Sequence, residues 1–340
     1  MARPLQIVLL VLSAVTLVLA GHESWTYEGE LGPDHWADLG FKNCDRHRQS
    51  PIAIETSSTV RKRMKPLEFY HFDEIPLTMN LTNNYHSAGA TMTTRKVPMV
   101  RSGGLPGNFE VVGFHFHWGL DSTTGSEHTV NGRHYPLEMH VVCKNTDYEE
   151  LQEALKHEDG LAVLAVMFEL SEANNRAIGR LEEALAQITE GGSSVPVVDP
   201  PRLQELMPLN TNDFYRYEGS LTTPGCYEVV TWTIFQHPVK VTEAELELFR
   251  SLKRTEKLPI GHNYRTLQAR YGRTVYLRRP EDEEDIYYDD HDEHELLDEL
   301  HKKLLEEEIA LLQRQRGGGP GLRPTALTAL VAAVIAALRL

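Results

Sequence analysis

Between Gly21 and about Pro280 the chain is a succession of short apolar runs separated by Gly, Pro and Asn. Four stand out: "FEVVGFHFHW" at 109–118, "LEMHVVCKN" at 137–145, "LAVLAVMFEL" at 161–170 and "YEVVTWTIFQ" at 227–236. Runs of this length bounded by turn residues predict strands. Their imperfect alternation predicts strands covered on both faces. Helical signals are fewer. Thr242 with Glu245 three residues on forms a capping box ahead of Leu246 and Phe249. Asp199-Pro200 supplies the N-cap and first-turn proline of a short helix. Ile178, Leu181, Leu185 and Ile188 mark one face of another. No repeat or linker interrupts residues 21–280, which predicts one mostly β domain built on a large sheet with peripheral helices.

Beyond Pro280 the texture changes. Residues 281–316 are poor in Gly and Pro, helical in their second half, and carry Leu297, Leu300, Leu304 and Leu311 at spacings of three, four and seven. The heptad signal is short, and the segment reads as a solvated acidic stalk. Charge supports this. The formal net charge is −15, and Glu281 to Glu308 alone hold 15 acidic residues and 2 lysines. The preceding body is therefore close to neutral. With no basic patch in the sequence, nucleic acid is not the expected partner.

Both ends read as addresses. Residues 1–20 have Arg3, an apolar run from Leu5, and small positions at Val18 and Ala20, the pattern of a secretory signal peptide cut before Gly21. Residues 317–340 offer Gly317 to Gly319, a short spacer and an apolar tail from Ala326 to Leu338. That tail is shorter than the roughly 20 residues of a spanning helix. The pattern is that of a glycosylphosphatidylinositol (GPI) attachment signal, with a short transmembrane anchor as the alternative. Secretion permits a disulfide among Cys44, Cys143 and Cys226, in any of three pairings. Asn80-Leu81-Thr82 is a candidate glycosylation site.

The chemistry begins at "FHFHW", residues 114–118. On a strand, His115 and His117 point one way while Phe114, Phe116 and Trp118 point the other. In "LEMHVV" the same parity places Glu138, His140 and Val142 on one face. If the two strands are neighbours, His115, His117 and His140 converge. Three neutral imidazoles with one open position describe a catalytic zinc site. Glu138 would accept the His140 ring N–H and fix its tautomer. Among 16 histidines an H-x-H pair alone is a weak signal, and its company decides.

That company is "FHFHWG", "GSEHTV" at 125–130, "LEMHVV" and "GSLTTPGC" at 219–226, flanked by "WTYEGELGPDHW" at 25–36, "RQSPIAI" at 48–54 and "NYRTLQ" at 263–268. In this order the motifs closely resemble the α-class carbonic anhydrases, over about Trp25 to Arg278. The end segments make the chain look like the extracellular, membrane-attached branch. The resemblance implies a twisted, mostly antiparallel sheet of about ten strands with zinc at the bottom of a conical cleft. It implies His115, His117 and His140 as zinc ligands. Thr222 would orient the zinc-bound hydroxide, and Glu127 would orient Thr222. A threonine can accept the hydroxide's proton only if its own hydroxyl donates to an anion. Val142, Val163, Leu221, Val230 and Trp232 match the apolar pocket for carbon dioxide, with Thr223 beside them. Cys44 and Cys226 match a disulfide, leaving Cys143 free.

His86, in "NNYHSAG", matches the proton-shuttle position. Gly113 departs from the pattern, since many members carry a glutamine there that holds the first zinc histidine. A backbone carbonyl or a water is expected to replace it. The reading is an enzyme that interconverts carbon dioxide and bicarbonate at the cell surface. The alternative is a non-catalytic binding or adhesion module of the same fold.

Overall fold

The computed structural model describes residues 25–279. The proposed signal peptide, stalk and C-terminal anchor fall outside this range. Seven strands carry the centre of the molecule: β1 Thr78–Asn83, β2 Ala88–Thr93, β3 Phe109–Trp118, β4 Leu137–Asn145, β5 Leu161–Leu170, β6 Phe214–Gly219 and β7 Val230–Phe235. The main path of the sheet runs Ser194–Pro196, β1, β2, β3, β4, β5, β7, β6, Tyr276–Arg279, Val60–Arg63. That path has ten strands, and three short ones beside it bring the sheet to 13. Neighbours from the Ser194 strand through β5 are antiparallel, and β5 with β7 is parallel.

The uneven alternation of the strands has a direct cause. On β5, Ala162, Leu164, Val166 and Phe168 enter one core cluster, while Leu161, Val163, Ala165 and Met167 enter another on the opposite face. Both faces are buried, so both sets are apolar. On β3 and β4 one set is different. Phe114, Phe116, Leu137, Met139, Val141 and Cys143 fill the first core, and the alternate positions carry histidines and Glu138. Helix α1, Glu243–Arg250, closes that core from outside. Its capping box forms as expected: Thr242 N–H donates to Glu245 Oε2 at 2.7 Å, and Glu245 N–H donates to Thr242 Oγ1 at 3.3 Å. Phe249 of α1 then packs on Phe116, with ring centroids 4.8 Å apart. Rigid packing behind β3 fixes the side chains in front of it.

Two expected helices come out differently. No helix starts at Asp199-Pro200; a 3-10 turn begins later, at Leu203–Leu206, behind Arg202. Pro201 follows Pro200, and a residue before proline is pushed out of the helical region. Ile178, Leu181, Leu185 and Ile188 are all fully buried on one side, as the periodicity predicts. They do not lie on one helix, however: Ile178 is in Arg176–Gly179 and Leu185 in Glu182–Gln187, with Leu181 and Ile188 as the caps of the second. Gly179 is a poor interior helix residue, and the Leu181 N–H turns back to the Ile178 carbonyl at 2.7 Å.

Cys44 and Cys226 form a disulfide across 182 residues, and Cys143 is free and buried. Asn80 is exposed on β1, where its side chain is accessible to a glycan. Among the described residues no helix is long and apolar enough to cross a membrane.

Candidate active site

β3 and β4 are paired so that His115 lies opposite His140 and His117 opposite Glu138. Strand parity does the rest. Ring centroids of His115, His117 and His140 are 4.9, 5.2 and 4.6 Å apart. One nitrogen of each imidazole lies within 4.8 Å of the other two.

Hydrogen bonds decide which nitrogen two of the rings offer. His117 Nδ1 is 2.7 Å from the Asn263 carbonyl. A carbonyl only accepts, so Nδ1 carries the proton and Nε2 is left with its lone pair. That Nε2 is buried without a hydrogen-bond partner among the described residues. His140 Nε2 is 2.7 Å from Glu138 Oε1, which leaves Nδ1 to face the cluster. Burial lowers the pKa of all three histidines. His117 is lowered to about 4, against the opposing pull of its bond to Asn263. His115 is lowered well below its ordinary value, by burial first and then by His117 and His140. His140 is lowered mainly by burial. Three neutral imidazoles with inward lone pairs are the donor set that zinc takes.

Around them runs a buried polar chain. Glu138 accepts the His128 backbone N–H at 2.9 Å and also faces His128 Nδ1 at 2.7 Å. His128 Nε2 is 2.7 Å from the Tyr217 hydroxyl, itself 2.7 Å from Ser50 Oγ. Burial alone would raise the Glu138 pKa, but the two histidines outweigh it and hold the carboxyl well below the usual range. Glu138 is thus an anion that orients His140. Asn263 plays a comparable part for His117. Its side-chain amide donates to the Phe116 and His86 carbonyls and its Oδ1 accepts the Trp118 N–H at 2.6 Å.

Glu127 is buried, with Oε2 3.5 Å from His117 Nε2 and 3.8 Å from His140 Nδ1. Its Oε1 accepts the Arg265 backbone N–H at 2.9 Å. Burial raises its pKa to about 7, while His140, the Arg265 N–H and the Thr222 hydroxyl pull it down. Thr222 therefore lies beside the carboxylate, itself buried. Next to His140 is an apolar wall. Val163 is in register with Val142 and with Trp232, and Val230 and Leu221 join the same cluster. The Trp232 ring is 4.8 Å from that of His140. Thr223 is half-buried outside this cluster, where its carbonyl accepts the Cys226 N–H at 2.9 Å.

The match to known proteins falls on this same stretch. Residues 31–279 match the family described as eukaryotic-type carbonic anhydrase. The chain belongs to the eukaryotic-type carbonic anhydrase family. It is 37% identical to "Putative carbonic anhydrase 3" of Caenorhabditis elegans over 252 residues, covering 74% of this chain and 95% of the relative. With "Carbonic anhydrase 15" of Mus musculus it shares 32% identity over 267 residues, 74% of this chain and 82% of the relative. With "Carbonic anhydrase 4" of Rattus norvegicus it shares 32% over 284 residues, 79% and 89% respectively.

Two further positions of this carbonic anhydrase domain, Gly113 and His86, were singled out from the sequence. At Gly113 the β3–β4 register shifts, a bulge between Val111 and Gly113, and a Cβ there would fall 2.6 Å from the Ala90 carbonyl oxygen. Backbone occupies the space a longer side chain needs. No hydrogen bond from a described residue reaches the His115 ring in its place. His86 is half-buried and stacked on Trp25, with ring centroids 3.7 Å apart and planes 11° from parallel. Burial, then the Arg254 charge, lowers its pKa to about 4. Sequence reasoning did not single out His128, Tyr217, Asn263 or Arg265. Only the motifs that contain three of them, "GSEHTV" and "NYRTLQ", gave a signal.

Proposed function

We propose that this chain is an active, zinc-dependent carbonic anhydrase that hydrates carbon dioxide reversibly to bicarbonate and a proton. The observation that carries the reading is the convergence of the three imidazoles, with His117 Nε2 buried and without a hydrogen-bond partner among the described residues. His115, His117 and His140 would hold the zinc. Zinc bound there lowers the pKa of its water to about 7 and so supplies a nucleophile at neutral pH. Glu138 and the Asn263 carbonyl hold two of the three rings in the required tautomer. Glu127 and Thr222 form the polar side of the site, with Thr222 donating its proton to Glu127 and keeping its oxygen free to accept another. Val142, Val163, Leu221, Val230 and Trp232 exclude water beside it and hold carbon dioxide, and Thr223 borders the pocket.

His86 is the proposed proton relay. In its stack on Trp25 a pKa near 4 leaves it neutral and a poor acceptor at pH 7. Relay at neutral pH therefore requires the ring to leave the stack and regain solvent. The Cys44–Cys226 disulfide supports the secretory reading. We place the enzyme on the extracellular face of the plasma membrane, held by a GPI anchor or a short C-terminal segment. A non-catalytic binding module is the weaker reading, because it explains neither the neutral imidazoles nor the Glu127–Thr222 pair. Carbon dioxide hydration measured with and without a zinc chelator tests the proposal. Release from cells by phosphatidylinositol-specific phospholipase C tests the anchor.

A further inference from the structure

Three strands along the sheet from β4, β6 also buries a charged group. Arg216 is 3% exposed, and none of its Nε, Nη1 and Nη2 has a hydrogen-bond partner among the described residues. Its guanidinium carbon lies 5.2 Å from the centre of the Phe214 ring. Glu218, on the same face by parity, acts on it through space while accepting the Thr231 hydroxyl at 3.0 Å. A buried guanidinium without hydrogen bonds is costly, so the surroundings must explain it.

Arg216 lines a cavity of about 240 Å³ whose wall also includes Lys62, Glu218, Arg273 and Tyr276. Arg273 is committed to backbone carbonyls, among them those of Glu218 at 3.1 Å and Gln49 at 2.7 Å. Lys62 lies on the exposed edge strand Val60–Arg63, its Nζ 4.6 Å over the Tyr276 ring. Three cations thus face one carboxylate. Burial lowers the Arg216 pKa to about 10, so the guanidinium remains charged at neutral pH. The volume is below the roughly 300–1,000 Å³ of ordinary ligand pockets, which suits a small ion. A guanidinium fork matches two oxygens of one group better than it matches a spherical ion.

We propose that this cavity binds a small oxyanion of the sulfate, phosphate or carboxylate kind, gripped by Arg216 with Lys62 as the outer cation. Tyr217 of the polar chain beside the histidines also borders this cavity, but Arg216 lies on the other face of β6 by parity, and the proposal does not depend on the activity assigned to the histidines. Thermal unfolding of the full chain in sodium sulfate and in sodium acetate, each against sodium chloride at equal ionic strength, tests it. With at least one oxyanion the midpoint should rise saturably with concentration, and Arg216→Met should abolish the saturable part. General salt effects and anions bound near the histidines act on both proteins and cancel in the comparison. No saturable rise with either anion, or an equal rise in Arg216→Met, overturns the site. If Arg216→Met does not fold, Lys62→Gln serves instead, since its position is on the exposed edge. It should weaken the apparent affinity severalfold, and an unchanged affinity overturns the proposal.

Discussion

His117 and Arg216 are both buried with unpartnered nitrogens, yet they call for opposite charges. At His117 the Asn263 carbonyl holds the ring proton on Nδ1, so the free atom is a lone pair and its complement is a cation. At Arg216 every free atom is an N–H donor, and the complement is an anion. Their settings differ in the same sense. The histidines are neutral and stand beside Glu127 and Glu138, whereas Arg216 stands among further cations. At these two positions the donor or acceptor character of the unpartnered atom states the sign of the ligand it would suit.

The largest effect that can break this comparison is removal of a histidine. His117→Ala should weaken zinc binding by more than the about 10–100-fold typical of losing an outer partner, and carbon dioxide hydration should vanish with the metal. Metal analysis beside the hydration assay reads both. The oxyanion response of Arg216 should persist in that variant, provided the fold survives.

The Cys44–Cys226 disulfide bears on the stability of the whole domain. Replacing Cys44 and Cys226 by serine should cost roughly 2–5 kcal/mol, read from the denaturant midpoint. The cost arises because the bridge closes a span of 182 residues and so restricts the unfolded chain; on the folded side, Arg265 also holds the Cys44 carbonyl at 3.0 Å together with Ser50 and Gln49. Thr222→Ala sharpens the histidine side. It should lower kcat/KM by about 10–100-fold, on the scale of lost outer partners, while zinc stays bound. Loss of zinc instead would mean that Thr222 supports the metal and not the reaction.

Gly113→Gln should not install the missing partner of His115. Its Cβ would press on the Ala90 carbonyl, and overpacking of this kind costs about 1–3 kcal/mol, measurable by denaturant unfolding. The smallest effect concerns His86. Its folded pKa is lowered from 6.5 to about 4, so between those values the unfolded chain binds more protons than the folded one. Its contribution to stability is complete above pH 6.5 and is lost as pH falls towards 4. His86→Gln should therefore flatten the acid side of the stability curve in that window.

Much of this was legible from one sequence because the signals are local. Run length and parity located β3, β4 and β5, and Thr242 with Glu245 located α1. The same parity put His115, His117 and His140 on one face, where the structure brings them together. What was missed is non-local. Asn263 meets His117 across 146 positions, and Tyr217 meets His128 across 89; no periodicity encodes such contacts. The bulge at Gly113 and the Ala90 carbonyl that crowds it were equally hidden. Arg216, in "FYRYEG", reads as the polar member of an alternating strand, and only the packing around it reveals that it is buried. Asp199-Pro200 misled because the second proline outweighs the cap.

In the proposed function, His115, His117 and His140 hold a zinc on which activity depends. Zinc content and carbon dioxide hydration, measured on the same preparation before chelation, after it, and after zinc is restored, test this most directly. One zinc per chain is expected, with loss of hydration in step with loss of zinc and recovery of both together. Hydration that continues at full rate in zinc-free protein, or a folded chain that takes up no zinc, would contradict it.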